Sequence, residues 1–394
     1  MLELRPITDD EVPAFRACMM NAFGDDTGEA DPDGDRRFRA LIPPGNAWAM
    51  FDGAQVVGVA GLYDLSLGMP GGGSLGCAGL TMVGVRSTHR RRGVLTQLMA
   101  AFDARAREHG HAIAGLWASE ALIYGRYGFA VAAYDHVTEI ADAHSLTVAG
   151  AAAAGGFDEM VWIEEGRARE VFPGIYARST AQRPGVLRRD AVWWQERRFL
   201  ESPFARRGAS KRRHVIATRD GAPVGYVQYR QRTDNHASLH GGRVEIIELH
   251  GIDTRAVASL WRYVCAIDLH PTVFWPNTPV DDPLHLLVDN PRQLTRKRAD
   301  SLWLRVDDIP RALAARSWGG ELRLGIGDDV YDLPSGAKTS GRAQVTIAPS
   351  ALPRVLIGGL LPSELAAAGL ASGDVMAADR AFVTPVAPWC PEIF

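Results

Sequence analysis

The sequence MVGVRSTHRRRGVL, which spans Met82–Leu95, joins an apolar strand pattern to an amphipathic helix pattern. Between the two lies a short polar loop with three consecutive arginines, Arg90–Arg92, followed by Gly93. Free backbone N–H groups at a helix start point at an anion, and the helix dipole favours negative charge there. Arginine adds charge-assisted hydrogen bonds, and glycine lets the backbone approach the anion closely. The stretch therefore predicts a helix start that binds a pyrophosphate group.

The segments around this stretch predict a mixed sheet. A hairpin signal, Asp52-Gly53, joins two apolar runs before it, and Gly110 ends the helix pattern after it. The sequence predicts helices after Asp9, after Gly93 and after Ser119, and a short helix from Arg36 to just before Pro43. It predicts strands at Leu2–Ile7, Ala47–Phe51, Val56–Tyr63, Cys77–Val85, Ala112–Ala118 and Phe129–Ile140. This order predicts an α/β (α+β) fold with a mixed sheet, and it argues against a doubly wound parallel sheet.

An internal repeat follows in the middle of the chain. Asp220–Val227 repeats the hairpin at Asp52–Val59 with one residue deleted, and a strand and a helix pattern follow in the same order as in the first copy. The order predicts a duplicated fold. The second helix start, His250–Thr254, lacks the arginine-glycine run and places Asp253 where an anion would bind. We therefore expect the second copy to lack a phosphate site.

Changes in composition divide the chain into three parts. A run of small residues at 148–156 predicts one boundary, and a new alternation of short strands and helices begins near residue 300. The predicted domains are 1–147, 148–298 and 299–394. The last residues, Val383–Phe394, are apolar and rich in proline, unlike a fraying tail. We therefore expect the terminal carboxylate to be held in a fixed place.

Composition argues against several classes of protein. The 394 residues carry a formal net charge of -3, which gives no bulk preference for nucleic acid or an anionic membrane. No run reaches the ~18 apolar residues of a membrane helix, and the first residues lack a signal-peptide pattern, so we expect a cytoplasmic protein. The cysteines form no C-x-x-C pair, so neither a disulfide framework nor a zinc site is predicted. They are Cys18, Cys77, Cys265 and Cys390.

Three further patterns are interpreted as loops. Gly68–Gly76 formally matches G-x-G-x-x-G and G-x-S-x-G, but a strand follows it where both motifs need a helix, so we expect a flexible hairpin connection. His236 and His240 flank a predicted hairpin tip and are not expected to bind a metal. The basic residues from Arg206 to Arg213 lack interleaved aromatic residues, which favours a solvated loop over a nucleic-acid site.

The motifs point to coenzyme A and then to a family. A pyrophosphate at an R-x-x-G turn, without the G-x-x-x-x-G-K-[ST] loop of nucleoside triphosphatases, favours coenzyme A. Arg90–Leu95 resembles the [QR]-x-x-G-x-[GA] signature of the GNAT superfamily of N-acetyltransferases, with leucine at the last position. The sequence ASEALIYGRYGF (Ala118–Phe129), the degenerate second copy and the terminal phenylalanine are similar to the enhanced intracellular survival (Eis) family. The resemblance implies two GNAT-like domains, a sterol-carrier-protein-like domain, acetyl-CoA as co-substrate and a homohexamer.

The resemblance also implies a cofactor site. Val83 and Val85 would offer backbone groups to the pantetheine arm and the acetyl carbonyl, and Ser119 would touch the cofactor. The residues implied to hold the pyrophosphate are Arg90, Arg91, Gly93 and Val94.

Two groups match the catalytic residues of that family. Tyr124 matches the general acid, and the carboxylate of Phe394 matches the general base. The chemistry agrees, because an attacking amine must lose a proton and a departing thiolate gains from receiving one. Glu120 and His89 are alternative bases, although His89 is better placed to line the cofactor entrance. A structural core role is the alternative for Tyr124.

Acceptors in the family are polyamines such as aminoglycosides, acetylated at several positions. Phe23 and Asp25 match its acceptor pocket, Phe38 stands where a tryptophan is expected, and Glu392 could join them. The acid-rich segment 25–35 is either a solvated loop or an electrostatic funnel for such a cation. The alternatives are a protein-lysine or small-polyamine acetyltransferase and a lipid-binding scaffold protein with a vestigial site.

Overall fold

The computed structural model describes residues 2–25, 32–149, 156–201, 206, 208–233 and 241–394. The first part of the chain contains, in order, β1 (Leu2–Pro6), α1 (Val12–Phe23), α2 (Pro32–Leu41), β2 (Ala47–Asp52), β3 (Gln55–Gly68), β4 (Ser74–Val85), α3 (Val94–Glu108), β5 (Ile113–Trp117), α4 (Ala121–Tyr124), β6 (Ala130–Val131) and β7 (Tyr134–Ile140). Most of these elements lie within a few residues of the predicted ones. A short helix was expected from Arg36 to just before Pro43; α2 begins four residues earlier, at Pro32, and holds the acidic residues Asp33 and Asp35 in its first turn.

The middle of the chain repeats this succession of elements. It contains β8 (Glu159–Ile163), α5 (Glu165–Ser179), α6 (Ala191–Trp193) continuing as a π-helix (Trp194–Phe199), β9 (Arg213–Arg219), β10 (Ala222–Arg232), β11 (Arg243–Gly251), α7 (Thr254–Cys265), β12 (Thr272–Pro279), α8 (Leu284–Leu287) and β13 (Leu294–Asp300). The last part contains β14 (Leu302–Val306), α9 (Ile309–Ala314), β15 (Leu322–Ile326), β16 (Asp329–Leu333), β17 (Ala337–Thr339), β18 (Val345–Ile347), α10 (Leu352–Leu356), α11 (Pro362–Ala367), β19 (Ala371–Gly373) and α12 (Val375–Phe382).

The described strands form three sheets, and the first two share one plan. Their orders are β1-β2-β3-β4-β5-β14-β6, β13-β7-β12-β11-β10-β9-β8 and β17-β16-β15-β18-β19. In the first sheet β4 pairs in parallel with β5, and in the second β11 pairs in parallel with β12, while the flanking pairs are antiparallel. This confirms the mixed α+β fold, and the matching orders agree with the expected duplication.

The first two sheets exchange strands across the predicted boundaries. The segment Phe129–Ile140, expected as one strand of the first sheet, divides at Ala132 and Ala133, whose N–H groups both donate to the carbonyl of Leu302. β6 stays in the first sheet, but β7 pairs with β12 and β13 of the second. In return β14 pairs with β5 and β6. These two alanines are fully buried, so their small side chains fit where the chain changes sheet.

The parallel pair β4 and β5 separates towards the first helix start. Only Cys77–Gly79 of β4 pairs with β5, although β4 continues to Val85. Opposite β3, Thr81 pairs with Gly61 and Gly84 with Val59, so Met82 and Val83 together face one residue, and Met82 has φ 54°. This is a β-bulge, which ends regular pairing and turns the strand. The separation leaves the end of β4 beside an open cleft.

The connection between β3 and β4 differs from the flexible loop that was expected. The N–H of Gly68 donates to Val186 and its carbonyl accepts from Gly185, at 2.7 and 2.9 Å. The carbonyl of Pro70 accepts from the N–H of Ser317, and Met69 is fully buried. The connection therefore has fixed partners in the middle and last parts of the chain. In the part of the chain that the structure describes, no helix has both the length and the apolar character to cross a membrane.

Candidate active site

The start of α3 has the backbone geometry of an anion-binding turn. Gly93 is the N-cap residue with φ 76°, and Arg91 has φ 61°. Glycine adopts this left-handed conformation at little cost, whereas arginine adopts it with strain, which is typical of functional turns. Among the described residues no side chain caps α3. The first N–H groups of a 15-residue helix are therefore available to an anion.

This turn borders a cavity of about 540 Å³, which we name the helix-start cleft. The cleft brings together the bulged end of β4, the start of α3 and the connection from β5 to α4. All the predicted cofactor residues line it, namely Val83, Val85, Arg90, Arg91, Gly93, Val94 and Ser119. Their contacts with acetyl-CoA stay a prediction, but the arrangement fits it, since cationic side chains and free amides face one space.

Tyr124 ends α4 and lines the helix-start cleft. Its side chain is buried and packs edge-on against Phe129. Burial raises the pKa of Tyr124, although a hydrogen bond with Ser119 acts in the opposite direction. The phenol therefore keeps its proton at neutral pH and can donate it. Tyr127, three residues on, is more exposed and is not among the described residues that line the cleft.

A second cavity, of about 410 Å³, meets the first at Tyr124. We name it the C-terminal cavity because Ile393 and Phe394 line it. The residues that line both cavities are Phe23, Val83, Ser119 and Tyr124. The structure thus brings Tyr124 and Phe394, which are 270 positions apart in sequence, to the same cavity. A group entering from the cleft and a group in the cavity would meet beside the phenol.

The acceptor residues predicted from the resemblance are only partly assembled. Phe23 is half-exposed at the cavity mouth, and the buried Phe38 lines the wall and packs on Phe15. Asp25 is not among the described residues that line the C-terminal cavity, and its N–H donates to the carbonyl of Met20 at 3.0 Å.

The charge of the C-terminal cavity differs from the expected negative funnel. Its described lining includes Arg16, Arg37 and Arg197 and contains no acidic side chain. Arg16 pairs with Asp35 of α2. Residues 26–31 of the acid-rich segment lie outside the described residues, and so do His236 and His240.

Glu392 lies away from the acceptor site to which it was assigned. Its side chain is 1% exposed and pairs with Arg189 and, at 3.5 Å, with Arg198. The same two arginines pair with the buried Glu248 of β11, which also accepts from Tyr226 at 2.9 Å. A carboxylate enclosed in this way cannot contact an acceptor. We correct the assignment and name Arg189, Arg198, Glu248 and Glu392 the anchor cluster.

The anchor cluster holds the chain end beside the C-terminal cavity. Two residues after Glu392, Phe394 lines the cavity, and Arg197 donates to the carbonyl of Ile393 between them. Upstream, the indole of Trp389 donates to the carbonyl of Asn277 at 3.0 Å, and the Asn277 amide donates to Cys390 at 3.1 Å. These partners belong to the middle part of the chain. The second copy of the fold therefore positions the terminus at the cavity of the first.

Sequence reasoning missed the arginines of the anchor cluster. The guanidinium of Arg189 is fully buried, and it also lies over the rings of Tyr176 and Trp194 at 3.8 and 4.6 Å. Burial alone would raise the pKa of Glu248, but the charges of Arg189 and Arg198 outweigh it and hold that pKa well below its ordinary value. Glu248 is thus ionised at neutral pH, and its charge is balanced by the two arginines that contact it.

We expect Arg189→Met to lower the free energy of unfolding by about 3–5 kcal/mol, because it leaves buried carboxylates with one cation. A carboxyl with a depressed pKa contributes stability above its unfolded pKa of about 4.3 and loses it as pH falls. The difference between wild type and variant, measured by urea unfolding, should therefore shrink below about pH 4. Arg167→Met, at an exposed helix pair, is the control and should cost less than about 0.5 kcal/mol. Equal losses in both variants would contradict the anchor cluster.

The alternative bases lie on the cofactor side of Tyr124. His89 is buried, contacts Asp52 through Nε2 at 3.2 Å and lines the helix-start cleft. Glu120 is exposed and lines the same cleft. Neither is among the described residues of the C-terminal cavity. This geometry favours the Phe394 carboxylate as the group that faces an acceptor.

The second helix start is closed by its own carboxylate. Asp253 caps α7 by accepting from the N–H of Ala256 at 2.9 Å, and it pairs with Arg219 at 2.8 Å. An anion would need the N–H of Ala256 and the positive charge of Arg219, and both already contact Asp253. The expected absence of a phosphate site in the second copy stays a prediction that this geometry favours.

Comparisons with known proteins agree with this architecture. Residues 3–132 and 185–306 each match an acetyltransferase (GNAT) domain family, and residues 309–391 match the sterol carrier protein domain family. An N-acetyltransferase of Streptomyces avermitilis is 31% identical, with 100% of this chain and 99% of that protein covered. The N-acetyltransferase Eis of Mycobacterium tuberculosis is 33% identical, with 86% of this chain and 83% of that protein covered.

Solved structures give the same result for the whole chain. Eis1 from Mycobacterium abscessus superposes with a TM-score of 0.82 at 25% identity and covers 100% of both chains. A GCN5-related N-acetyltransferase from Anabaena variabilis has a TM-score of 0.81 at 19% identity and supports the fold alone. The three implied domains, two GNAT domains and a sterol-carrier-protein-like domain, are confirmed. The chain belongs to the Eis family of GNAT-superfamily N-acetyltransferases.

Proposed function

We propose that this N-acetyltransferase transfers an acetyl group directly from acetyl-CoA to an acceptor amine in a ternary complex. The supporting observation is the junction of the two cavities at Tyr124, with Phe394 lining the second. Acetyl-CoA, once bound, supplies the acetyl group as a thioester and leaves as a thiol. The free amides of α3, together with Arg90 and Arg91, hold its pyrophosphate in the helix-start cleft.

The proton steps follow from the two proposed catalytic groups. The Phe394 carboxylate takes a proton from the ammonium form of the acceptor, which makes the nitrogen lone pair available for attack on the carbonyl carbon. As the carbon–sulfur bond breaks, the phenol of Tyr124 donates its proton to the departing sulfur. Its raised pKa keeps that proton in place until then. The attacking nitrogen loses its second proton to solvent as the amide forms. Phe394 then releases its proton to solvent, Tyr124 regains a proton, and the amide product leaves through the C-terminal cavity.

The proposed acceptors are polycationic amines, with aminoglycosides modified at several positions as the first candidates. The resemblance to the Eis family suggests them, and the terminal carboxylate with the exposed ring of Phe23 offers an anionic and an aromatic contact. Several amines of one polycationic acceptor could then reach the proposed base in different binding poses.

The arginines of the cavity favour a second candidate, an amine that carries an anionic group. Arg16, Arg37 and Arg197 line the cavity, so a lysine side chain in an acidic peptide would find complementary charge.

Mass spectrometry separates the candidates after incubation with acetyl-CoA and, in turn, an aminoglycoside, a polyamine and an acidic lysine peptide. Multiple acetyl groups on the aminoglycoside support the first proposal, and acetylation of the peptide alone supports the second. Thermal stabilisation by acetyl-CoA without any transfer would favour the scaffold alternative.

We expect Arg91→Ala to raise the KM for acetyl-CoA by about 10- to 100-fold with little change in kcat. A charge-assisted hydrogen bond contributes about 1.5–3 kcal/mol, and each 1.4 kcal/mol is tenfold in affinity. Steady-state kinetics with varied acetyl-CoA measure the effect. Arg92→Ala is the matched control, because Arg92 is exposed next to it and is not among the described residues that line the cleft. Equal effects of both variants would contradict a specific pyrophosphate contact.

We also propose a cytoplasmic location, a homohexamer and a domain division at 1–147, 148–298 and 299–394. All four cysteines are buried free thiols, which suits a reducing compartment. β7 of the first proposed domain pairs in the second sheet, and β14 of the third pairs in the first sheet. The proposed domains therefore share strands. Light scattering of the purified protein tests the hexamer.

A further inference from the structure

Three side chains of the types that bind transition metals converge at the C-terminal end of α3. Asp64 projects from β3, and His109 and His111 follow the last turn of the helix. Asp64 Oδ1 accepts from His109 Nδ1 at 2.7 Å and from His111 Nε2 at 2.8 Å. One ligand atom from each residue lies within 4.8 Å of the other two. We propose that Asp64, His109 and His111 bind a divalent first-row transition metal, for which Zn²⁺ is the natural probe.

The end of α3 dictates the convergence of the two histidines. The N–H of His109 donates to Arg105 at 3.0 Å, and the N–H of His111 donates back to Ala106 at 3.0 Å. Between them Gly110 has φ 67°, a left-handed conformation that closes the helix. The turn brings two residues that are two positions apart to one carboxylate oxygen.

A buried amide orients the carboxylate, as partners outside the ligand set do in known metal sites. Asn46 is fully buried, and its Nδ2 donates to Asp64 Oδ2 at 3.0 Å. Arg105 Nε in turn donates to Asn46 Oδ1 at 2.8 Å. Asp64 Oδ1 is therefore fixed towards the histidines while Oδ2 is occupied by the amide. This fixed support distinguishes the site from a chance surface cluster.

The chemistry of the ligands suits a cation, and so does the dipole of the helix end. Neutral imidazole and carboxylate are normal ligands of Zn²⁺, with bonds of about 2.0–2.2 Å. Tetrahedral geometry then needs ligand atoms about 3.3 Å apart, so the two N···O separations widen by about half an ångström. The helix dipole favours positive charge at this end of α3. The nearby charges are Arg105 paired with Glu108, and Arg311, which donates to the carbonyl of Gly110.

The site is accessible and separate from the reaction. The side chains of Asp64, His109 and His111 are 38%, 26% and 9% exposed, which leaves room for water as a fourth ligand. Tyr63, the preceding residue of β3, lines the C-terminal cavity, so Asp64 points to the opposite face of the sheet. We therefore expect bound metal to tie β3 to α3 and raise the melting temperature without being needed for acetyl transfer.

The test uses the full chain after removal of metal with EDTA. Zn²⁺ titration by calorimetry should give one site with micromolar or tighter affinity, and Co²⁺ should give a visible absorption band at the same stoichiometry. His109→Ala and His111→Ala should each weaken binding by more than about 100-fold. Asn46→Ser, which removes only the orienting amide, should weaken it by about 10- to 100-fold. His144→Ala, at an exposed histidine that contacts the carbonyl of Ile267, is the control and should leave binding unchanged.

Two results would overturn the site. One is the absence of stoichiometric Zn²⁺ and Co²⁺ binding to the wild-type chain. The other is binding that is insensitive to both histidine variants, or equally sensitive to His144→Ala. Circular dichroism of each variant establishes that the fold is retained, and acetyl transfer measured with and without EDTA should agree.

Discussion

Tyr124→Phe should lower kcat by about 10²–10⁴-fold, the usual contribution of a positioned general acid. The variant removes one oxygen and keeps the ring that packs against Phe129, so the fold and the walls of both cavities should be retained. Without the phenol the departing sulfur must leave as an unprotonated thiolate. The KM for acetyl-CoA should stay within a few-fold, because the proposed pyrophosphate contacts lie at the start of α3.

Pre-steady-state and steady-state kinetics with acetyl-CoA and a multi-amine acceptor measure this effect. Tyr127→Phe is the matched control, since it makes the same chemical change three residues away and should leave kcat unchanged. Acetyl donors with a more acidic leaving thiol, such as activated thioesters, should restore part of the lost rate, because their thiolates leave without needing a proton. An unchanged kcat in Tyr124→Phe would reject the phenol as general acid.

The site residues that could be predicted from the sequence are those whose function depends on local backbone geometry. The turn at the start of α3 is formed by residues that are adjacent in the chain, because Gly93 adopts the left-handed conformation and the arginines precede it directly. Tyr124 and Ser119 lie on one short connection after β5, but their proposed roles came from the resemblance to the Eis family. The apolar spacing predicted most of the strands and helices around them, and the internal repeat predicted the duplicated sheet.

The anchor cluster and the strand exchange could not be predicted in this way. Arg189 is 59 residues from Glu248 and 203 from Glu392, and nothing in its local sequence indicates a buried guanidinium. Glu392 was assigned to the acceptor from its nearness to the terminus, but burial against two arginines is a tertiary property. β7 carries a strand pattern that suits either sheet, and its partners, β12 and β13, follow much later in the chain. The convergence of Asp64 with two histidines is similarly a result of packing.

One residue added after Phe394 should lower kcat by at least about 10²-fold while acetyl-CoA binding persists. The added residue moves the carboxylate by about 3.8 Å, and a general base acts only within about 2.6–3.2 Å of the proton it takes. The chain cannot slide back to compensate, because Glu392 is held in the anchor cluster and Arg197 holds the carbonyl of Ile393. The extension therefore displaces the charge and leaves the remaining wall of the cavity in place.

Phe394→Leu tests the side chain separately from the charge, since it removes the ring and keeps the main-chain carboxylate at the same position. We expect it to retain kcat within about tenfold, and we expect one residue added before Leu2 to have no effect. Acetyl-CoA binding, measured by calorimetry, should be equal in all these variants, because the helix-start cleft is formed without Phe394. A carboxyl-terminal extension that turns over at the wild-type rate would mean that another group takes the proton. In that case Glu120 and His89, on the cofactor side of Tyr124, would be the next residues to substitute.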